Sequence, residues 1–403
     1  MNWPIQKLSD CCISITDGDH QAPPKTSFGI PFVTISNITS TNNLNFDGTL
    51  YVTKDYYDKL DDKRKARKGD VLYSVVGSFG LPVYIKNDKP FAFQRHIAIL
   101  RTNEKLLSKF LYYTMLTKDF YMMADSVAIG AAQRTVTLTA LRNMKIKVPN
   151  IKTQAKIISV LSSYDDLIEN NQKQIKLLEE AAQRLYKEWF VDFRFPGHEN
   201  TTFVDGLPEG WKKDKAENLF EITIGKTPPR SEPKWFSTDD NDVSWASISD
   251  MGASNTFLVD TNEKLVIEAI KKHNVKIVPI GTILVSFKLT VGKVCITTKE
   301  MCTNEAIAHF YIRKTNTRFY TYLYLKNFHY ETLGNTSSIS KAVNSKIIKS
   351  MPFIMPNERL LESFSATITP IFNMMENKIF VIKQLSEARN RLLPKLMSGE
   401  IEV

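Results

Sequence analysis

Apolar residues recur at every seventh position between residues 157 and 193: Leu161, Ile168, Ile175, Ala182 and Trp189, with Tyr164, Leu178 and Leu185 three further on. No proline or glycine falls inside that stretch. A 3.5-residue period held over roughly four heptads is the a/d seam of a coiled coil, so the segment predicts a long helix that needs an apolar partner. A weaker twin lies near the C-terminus. There Ile368, Met375, Ile382 and Leu396 form one series, and Ile371, Leu385 and Leu392 the other. A shift of 207 residues superposes both series and lays Glu169-Asn170 on Glu376-Asn377. Asn171 and Lys378 share a d position, and Arg389 stands where the first seam has Ala182. Polar groups at a seam cost stability but can fix register and partner. Two unrelated amphipathic helices, each packed on its own domain, would be the plainer arrangement. One offset aligning both seams favours two long helices lying side by side, with the rest of the chain hung on them.

The duplication reaches beyond the helices. Trp3 and Trp211 open the two halves, and Ile35-Ser36 parallels Ile248-Ser249. The run from Gly69 to Ser74 parallels that from Gly281 to Ser286, and Gly80 matches Gly292. Lys109-Phe110 matches Arg318-Phe319, and Pro149-Asn150 matches Pro356-Asn357 just before each long helix. The offset drifts only between about 207 and 213 residues, as expected when insertions are confined to loops. Each block reads as mixed α/β. Strand-like runs at 30–35, 71–76, 82–85 and 96–100 precede a helix near 106–123; runs at 243–248, 282–287, 293–297 and 306–312 precede a helix near 319–333. Short segments bounded by Gly and Pro suggest a twisted sheet or partly closed barrel. The tyrosines of these helices (Tyr112, Tyr113, Tyr121, Tyr320, Tyr322, Tyr324) read as packing surfaces.

A chain of 403 residues, 43% hydrophobic and 24% charged, can bury substantial cores. Its N-terminus lacks an apolar leader and no apolar run reaches spanning length, which makes the cytoplasm the expected location. Cys11, Cys12, Cys295 and Cys302 fit no zinc spacing and are expected as free thiols. The net charge of +10 sits mainly on the globular blocks, +8 over residues 1–154 and +3 over 194–358, which favours a polyanionic partner. Phosphate-binding loops, a G-x-S-x-G elbow, kinase signatures and amino-methyltransferase quartets are all missing, which argues for binding rather than catalysis.

Two phrases then point to a family. Arg184 to Pro196, RLYKEWFVDFRFP, resembles the central conserved region of the specificity subunits of type I restriction-modification enzymes, and Leu392 to Ile401, LLPKLMSGEI, resembles the distal one. Leu207-Pro208-Glu209-Gly210-Trp211 resembles the opening of a target-recognition domain in that family; Met1-Asn2-Trp3-Pro4 is a shortened version. The resemblance covers nearly the whole chain. It implies an α/β (α+β) fold of two related target-recognition domains, 1–154 and 196–358. These are followed by long helices at 155–195 and 359–403, packed as an antiparallel coiled coil with pseudo-two-fold symmetry. It further implies a non-catalytic subunit that binds double-stranded DNA at two half-sites of an asymmetric sequence, the helices setting the spacing. Two methyltransferase subunits and restriction/translocase subunits would dock on it. S-adenosylmethionine, ATP and Mg are expected on those partners, and no cofactor or metal on this chain. A single-chain enzyme with fused catalytic domains is the second reading, and a protein-binding coiled-coil scaffold the third.

Base edges are read by donors and acceptors, while phosphate contacts set affinity and register. Polar, Gly- or Pro-containing loops with basic residues supply the candidates: His20, Gln21, Lys25, Ser78, Arg95, Gln133 and Arg134 in the first block. In the second they are Lys226, Thr227, Arg230, Lys288, Lys293, Ser337, Ser338 and Lys341. The basic run 63–68 reads as a solvated turn, at most a phosphate contact. Tyr186, Trp189 and Phe190 are either partner-docking groups or buried packing.

Overall fold

The computed structural model describes residues 3–20, 23–39, 41–131, 133–253, 256–333 and 343–403. The chain divides into two compact units, Met1–Ile168 with Gln384–Val403, and Glu169–Lys383. Among the described residues no helix is long and apolar enough to cross a membrane.

In the first unit an antiparallel sheet runs in the order Cys12–Asp17, Ile97–Thr102, Val71–Ser74, Pro82–Tyr84. A smaller sheet sets Ile30–Val33 between Leu50–Val52 (antiparallel) and Ala92–Phe93 (parallel). Val71 to Ser74 is buried throughout because it has a core on either face. Val71, Tyr73, Ala98 and Leu100 pack in one cluster with Phe110, Leu111, Ile157 and Leu161, while Leu72, Val83, Ile97 and Ile99 join Val33, Phe91 and Phe93. A strand covered on both faces loses its alternation, which is why it reads as a continuous apolar run. The helix expected near 106–123 is two, Ser108–Met115 and Lys118–Val127. The Thr117 hydroxyl accepts from Phe120 N and starts a new helix there.

The second unit repeats this plan. Glu221–Ile224, Ile307–Tyr311, Ile283–Ser286, Val294–Thr297 and Phe257–Leu258 form its larger sheet. Val243–Ala246 again pairs antiparallel with one neighbour, Glu263–Leu265, and parallel with the other, Cys302–Thr303. Each unit is closed by a two-stranded ribbon, Ile5–Lys7 with Lys145–Lys147 and Lys212–Lys215 with Pro352–Met355. Two small sheets per unit replace the single sheet or barrel. Cys11, Cys295 and Cys302 are buried free thiols and Cys12 is partly buried.

The long helices span Ile151–Tyr186 and Glu358–Ser398. They start four residues and one residue earlier than the expected 155 and 359, because an asparagine caps each. Asn150 Oδ1 accepts from Thr153 N at 2.9 Å, and Asn357 Oδ1 accepts from Leu360 N at 2.9 Å. The first ends in a wide π turn, Lys187–Val191, where Asp192 N bonds Lys187 O at 2.8 Å. The second stays helical through Pro370 and Pro394. Every predicted seam residue is withdrawn from water. Leu161, Ile168, Ile175, Trp189, Met375 and Leu396 are buried, and Leu178, Leu185, Ile371, Ile382, Leu385 and Leu392 are partly so. Within the first unit, Ile157 and Leu161 share a core with Leu393, Leu396 and Met397, and Arg389 Nη1 meets Asp165 Oδ1 at 2.7 Å. Within the second, Phe190 packs edge-on to Phe364 with ring centroids 4.7 Å apart and Trp189 stands 5.5 Å from the same ring. Tyr186, Trp189 and Phe190 are thus core residues of that unit.

Candidate nucleic-acid interface

In each unit one described candidate loop, at Gly18–Asp19 and at Gly225–Lys226, lies beside the parallel strand pair, and glycine permits the approach. A Cβ on Gly18 would lie 2.2 Å from the Phe93 carbonyl oxygen, and one on Gly225 would lie 2.1 Å from that of Asn304. Gly18 N bonds Ile97 O at 3.1 Å and Asp19 N bonds Phe93 O at 2.9 Å; Gly225 N bonds Ile307 O at 3.0 Å and Lys226 N bonds Thr303 O at 2.9 Å. Asp19 and Lys226 are therefore equivalent positions. By the same register Gln94 matches Asn304, and Arg95 matches Glu305.

In the first unit a cavity of about 350 Å³ opens here, lined among others by Asp19, His20, Lys25, Gln94, Arg95 and His96. Three of the predicted residues, His20, Lys25 and Arg95, thus share one site. Lys25 and Arg95 are exposed, and among the described residues neither has a carboxylate within ion-pair reach. The floor is acidic and braced. His20 Nε2 lies 2.9 Å from Asp17 Oδ2, Tyr56 donates to Asp19, and Arg64 Nη1 donates to Gly18 O at 3.0 Å. Burial, helped by the Arg95 charge, holds the His96 ring below its ordinary pKa, so it is neutral near pH 7. Arg64, from the run read as a mere solvated turn, supports the loop.

The other three described candidates gather on the adjoining hairpin turn 75–81. Val75 N bonds His96 O at 2.9 Å and Gly77 N bonds Arg134 O at 2.9 Å, which brings Ser78, Gln133 and Arg134 together. Arg134 is already held: Nη1 reaches Asp125 Oδ1 at 2.5 Å, and its guanidinium carbon lies 5.9 Å from the centre of the Phe79 ring.

In the second unit Arg230 makes a two-pronged contact with Glu263 at 2.7 and 2.8 Å and lies over Phe236 and Trp245, 4.0 and 4.8 Å from their ring centres. The Glu263 bond raises the Arg230 pKa. Thr227 donates to Glu305. Burial pushes the Glu305 carboxyl up, but that hydrogen bond, the backbone, and the charges of Lys288 and Arg230 more than offset it, leaving it below its ordinary range. Thr227, Arg230 and Lys288 therefore form one cluster around Glu305, with Lys226 next to Thr227 in the same loop. Lys293 folds back, its Nζ 2.1 Å from where a Gly252 Cβ would be. Gln21, Ser337, Ser338 and Lys341 lie outside the described residues. Sequence reasoning missed Gln94, Glu263 and Glu305, whose neighbours are fixed by strand pairing and not by local pattern. Among the described residues no group of His, Cys, Asp and Glu is arranged to hold a metal ion.

A family model described as type I restriction modification DNA specificity domain matches residues 3–180 and 208–369. The HindI specificity subunit of Haemophilus influenzae is 24% identical, over 84% of this chain and 88% of its own length. The MjaIX specificity subunit of Methanocaldococcus jannaschii is 27% identical, over 83% of this chain and 78% of its own. A crystal structure of a type I restriction-modification S subunit from M. genitalium superposes with a TM-score of 0.56 at 16% identity, covering 98% of this chain and 96% of that one.

Proposed function

The chain belongs to the type I restriction-modification DNA specificity family, whose members are non-catalytic DNA-recognition subunits, and from that premise we propose how it reads DNA. Each unit binds one half-site of an asymmetric, bipartite sequence, and the two long helices, packed as an antiparallel coiled coil, set the unread gap. The observation that carries this is one backbone frame used twice with different side chains at matching positions: Asp19 against Lys226 and Arg95 against Glu305. A cation in one unit and a carboxylate in the other suit different base edges, since guanine offers acceptors and cytosine a donor. Two identical readers would call for a symmetric site; these two call for an asymmetric one. Two methyltransferase subunits dock on the repeated halves, with restriction/translocase subunits outside them, in the cytoplasm. S-adenosylmethionine, ATP and Mg belong to those partners, and the methylated adenine is flipped from the stack by the methyltransferase and not by this chain.

Mapping methylated bases in cells that carry this chain with its partners tests the reading. A bipartite motif with unlike halves is expected; a single continuous or palindromic motif would overturn it.

A further inference from the structure

Leu289 stands at the tip of the turn 287–293 that joins the strands Ile283–Ser286 and Val294–Thr297. Its side chain is 97% exposed, and its backbone is left-handed with φ of +59°. The first unit holds the same turn and shows what that position requires. There Ser74 Oγ donates to Ser78 O at 2.9 Å and accepts from Leu81 N at 2.9 Å; here Ser286 Oγ donates to Thr290 O at 2.5 Å and accepts from Lys293 N at 3.0 Å. Gly80 N bonds Ser74 O at 3.0 Å and Gly292 N bonds Ser286 O at 2.9 Å. In this frame Leu289 falls on Gly77, whose φ is +67°.

Glycine takes that conformation freely, and asparagine with modest cost; a leucine takes it against its own Cβ. Neither packing nor solubility is served by placing the residue there with its isobutyl group in water. Local strain combined with exposure of this kind points to a contact made outside the chain. The turn is rigid enough to present the group: Phe287 is fully buried and its N bonds Ala306 O at 2.9 Å. The surroundings are those of the nucleic-acid cluster. Exposed Lys288 precedes Leu289 and faces Glu305 beside Thr227 and Arg230.

We propose that Leu289 is a wedge that enters a base-pair step of the half-site read by the second unit, with Lys288 on the adjacent phosphate. The proposal rests on the DNA-reading function above. Between stacked bases lies the apolar part of a duplex where an isobutyl group leaves water, and apolar side chains that enter it partly unstack and kink the step. Flexible pyrimidine–purine steps yield most readily. The first unit, with Gly77, has no such wedge in its turn. The distortion made by this turn therefore belongs to the second unit's half-site.

The test uses the full chain and a duplex bearing the mapped bipartite motif, with 2-aminopurine placed singly through each half-site. A several-fold fluorescence rise is expected at one step of one half-site and at none of the other. Leu289→Gly abolishes the rise and weakens binding about tenfold, while melting at a higher temperature because the strain is gone. A Leu289→Gly chain that keeps both fluorescence and affinity would overturn the wedge. Loss of affinity on replacing thymine by uracil, with no fluorescence rise, would overturn it in favour of a methyl contact. Failure of the unmodified chain to bind the duplex in a salt-dependent way would instead overturn the DNA reading itself.

Discussion

Arg95 and Lys25 differ from Arg134 and Arg230 in what they have left to give. The latter two already satisfy a carboxylate, whereas the former face the cavity without one among the described residues. Arg95→Ala is expected to cost about 1–3 kcal/mol of DNA affinity and to relax the sequence at one position of one half-site. Lys25→Ala should weaken all duplexes alike and lower the salt slope by about 1. Titrations against labelled duplex at several salt concentrations separate the two; equal effects on motif and non-motif DNA for Arg95→Ala would make it a phosphate contact. Directly beneath the candidate loop of the second unit, His309 is fully buried with Nδ1 2.8 Å from Thr223 Oγ1 and Nε2 2.7 Å from Thr303 Oγ1. Burial lowers its pKa to about 4. The unfolded chain takes up a proton near pH 6.5 and the folded one only near 4, so stability is lost as pH falls through that window. The loss between pH 7 and pH 5 amounts to about 2 kcal/mol. Urea unfolding of the second unit should show it, and His309→Gln should flatten it; an unchanged slope would mean another group dominates.

Among the elements, the long helices were the most legible because a seven-residue period survives any loop insertion, and the alternation-free strands at 71–74 and 283–286 were visible as buried runs. Their ends were not. Asn150 and Asn357 each follow a proline just before the predicted helix, and only the structure shows their side chains accepting from the first helical turn. Replacing either by Ala should cost about 1 kcal/mol, seen as a lower denaturation midpoint, whereas Ser or Asp should restore most of it. The break at Thr117 was hidden for a related reason: a hydroxyl can cap or lie along a helix, and its sequence neighbours do not say which. The candidate site was half legible. Loop composition named His20, Lys25, Arg95, Thr227 and Arg230, which the structure gathers beside the parallel strands, but the register that equates Arg95 with Glu305 exists only once the parallel strands Ala92–Phe93 and Cys302–Thr303 are paired.

For the whole molecule the proposed reading makes helix length the decisive quantity. At about 1.5 Å per residue, the stretch from Leu161 to Trp189 rises roughly 42 Å, comparable with one turn of duplex near 34 Å. If the helices fix the gap, shortening them must shift it by whole base pairs. Removing four residues around Gln172 takes out about 6 Å and turns the C-terminal part of that helix by about 40°. It also throws the a/d seam out of phase, as a stammer does. Removing one heptad from each helix at matching positions, seven residues from Gln172 and seven from Ile379, keeps the seam and takes out about 10 Å. The four-residue deletion should therefore alter the gap at a cost in stability. The paired heptad deletion should shorten it by about three base pairs, at about 3.4 Å each, with stability nearly kept. Methylation mapping of cells carrying each variant reads the gap directly. An unchanged gap in the paired deletion, with both half-sites still methylated, would mean that the partners and not these helices hold the two readers apart.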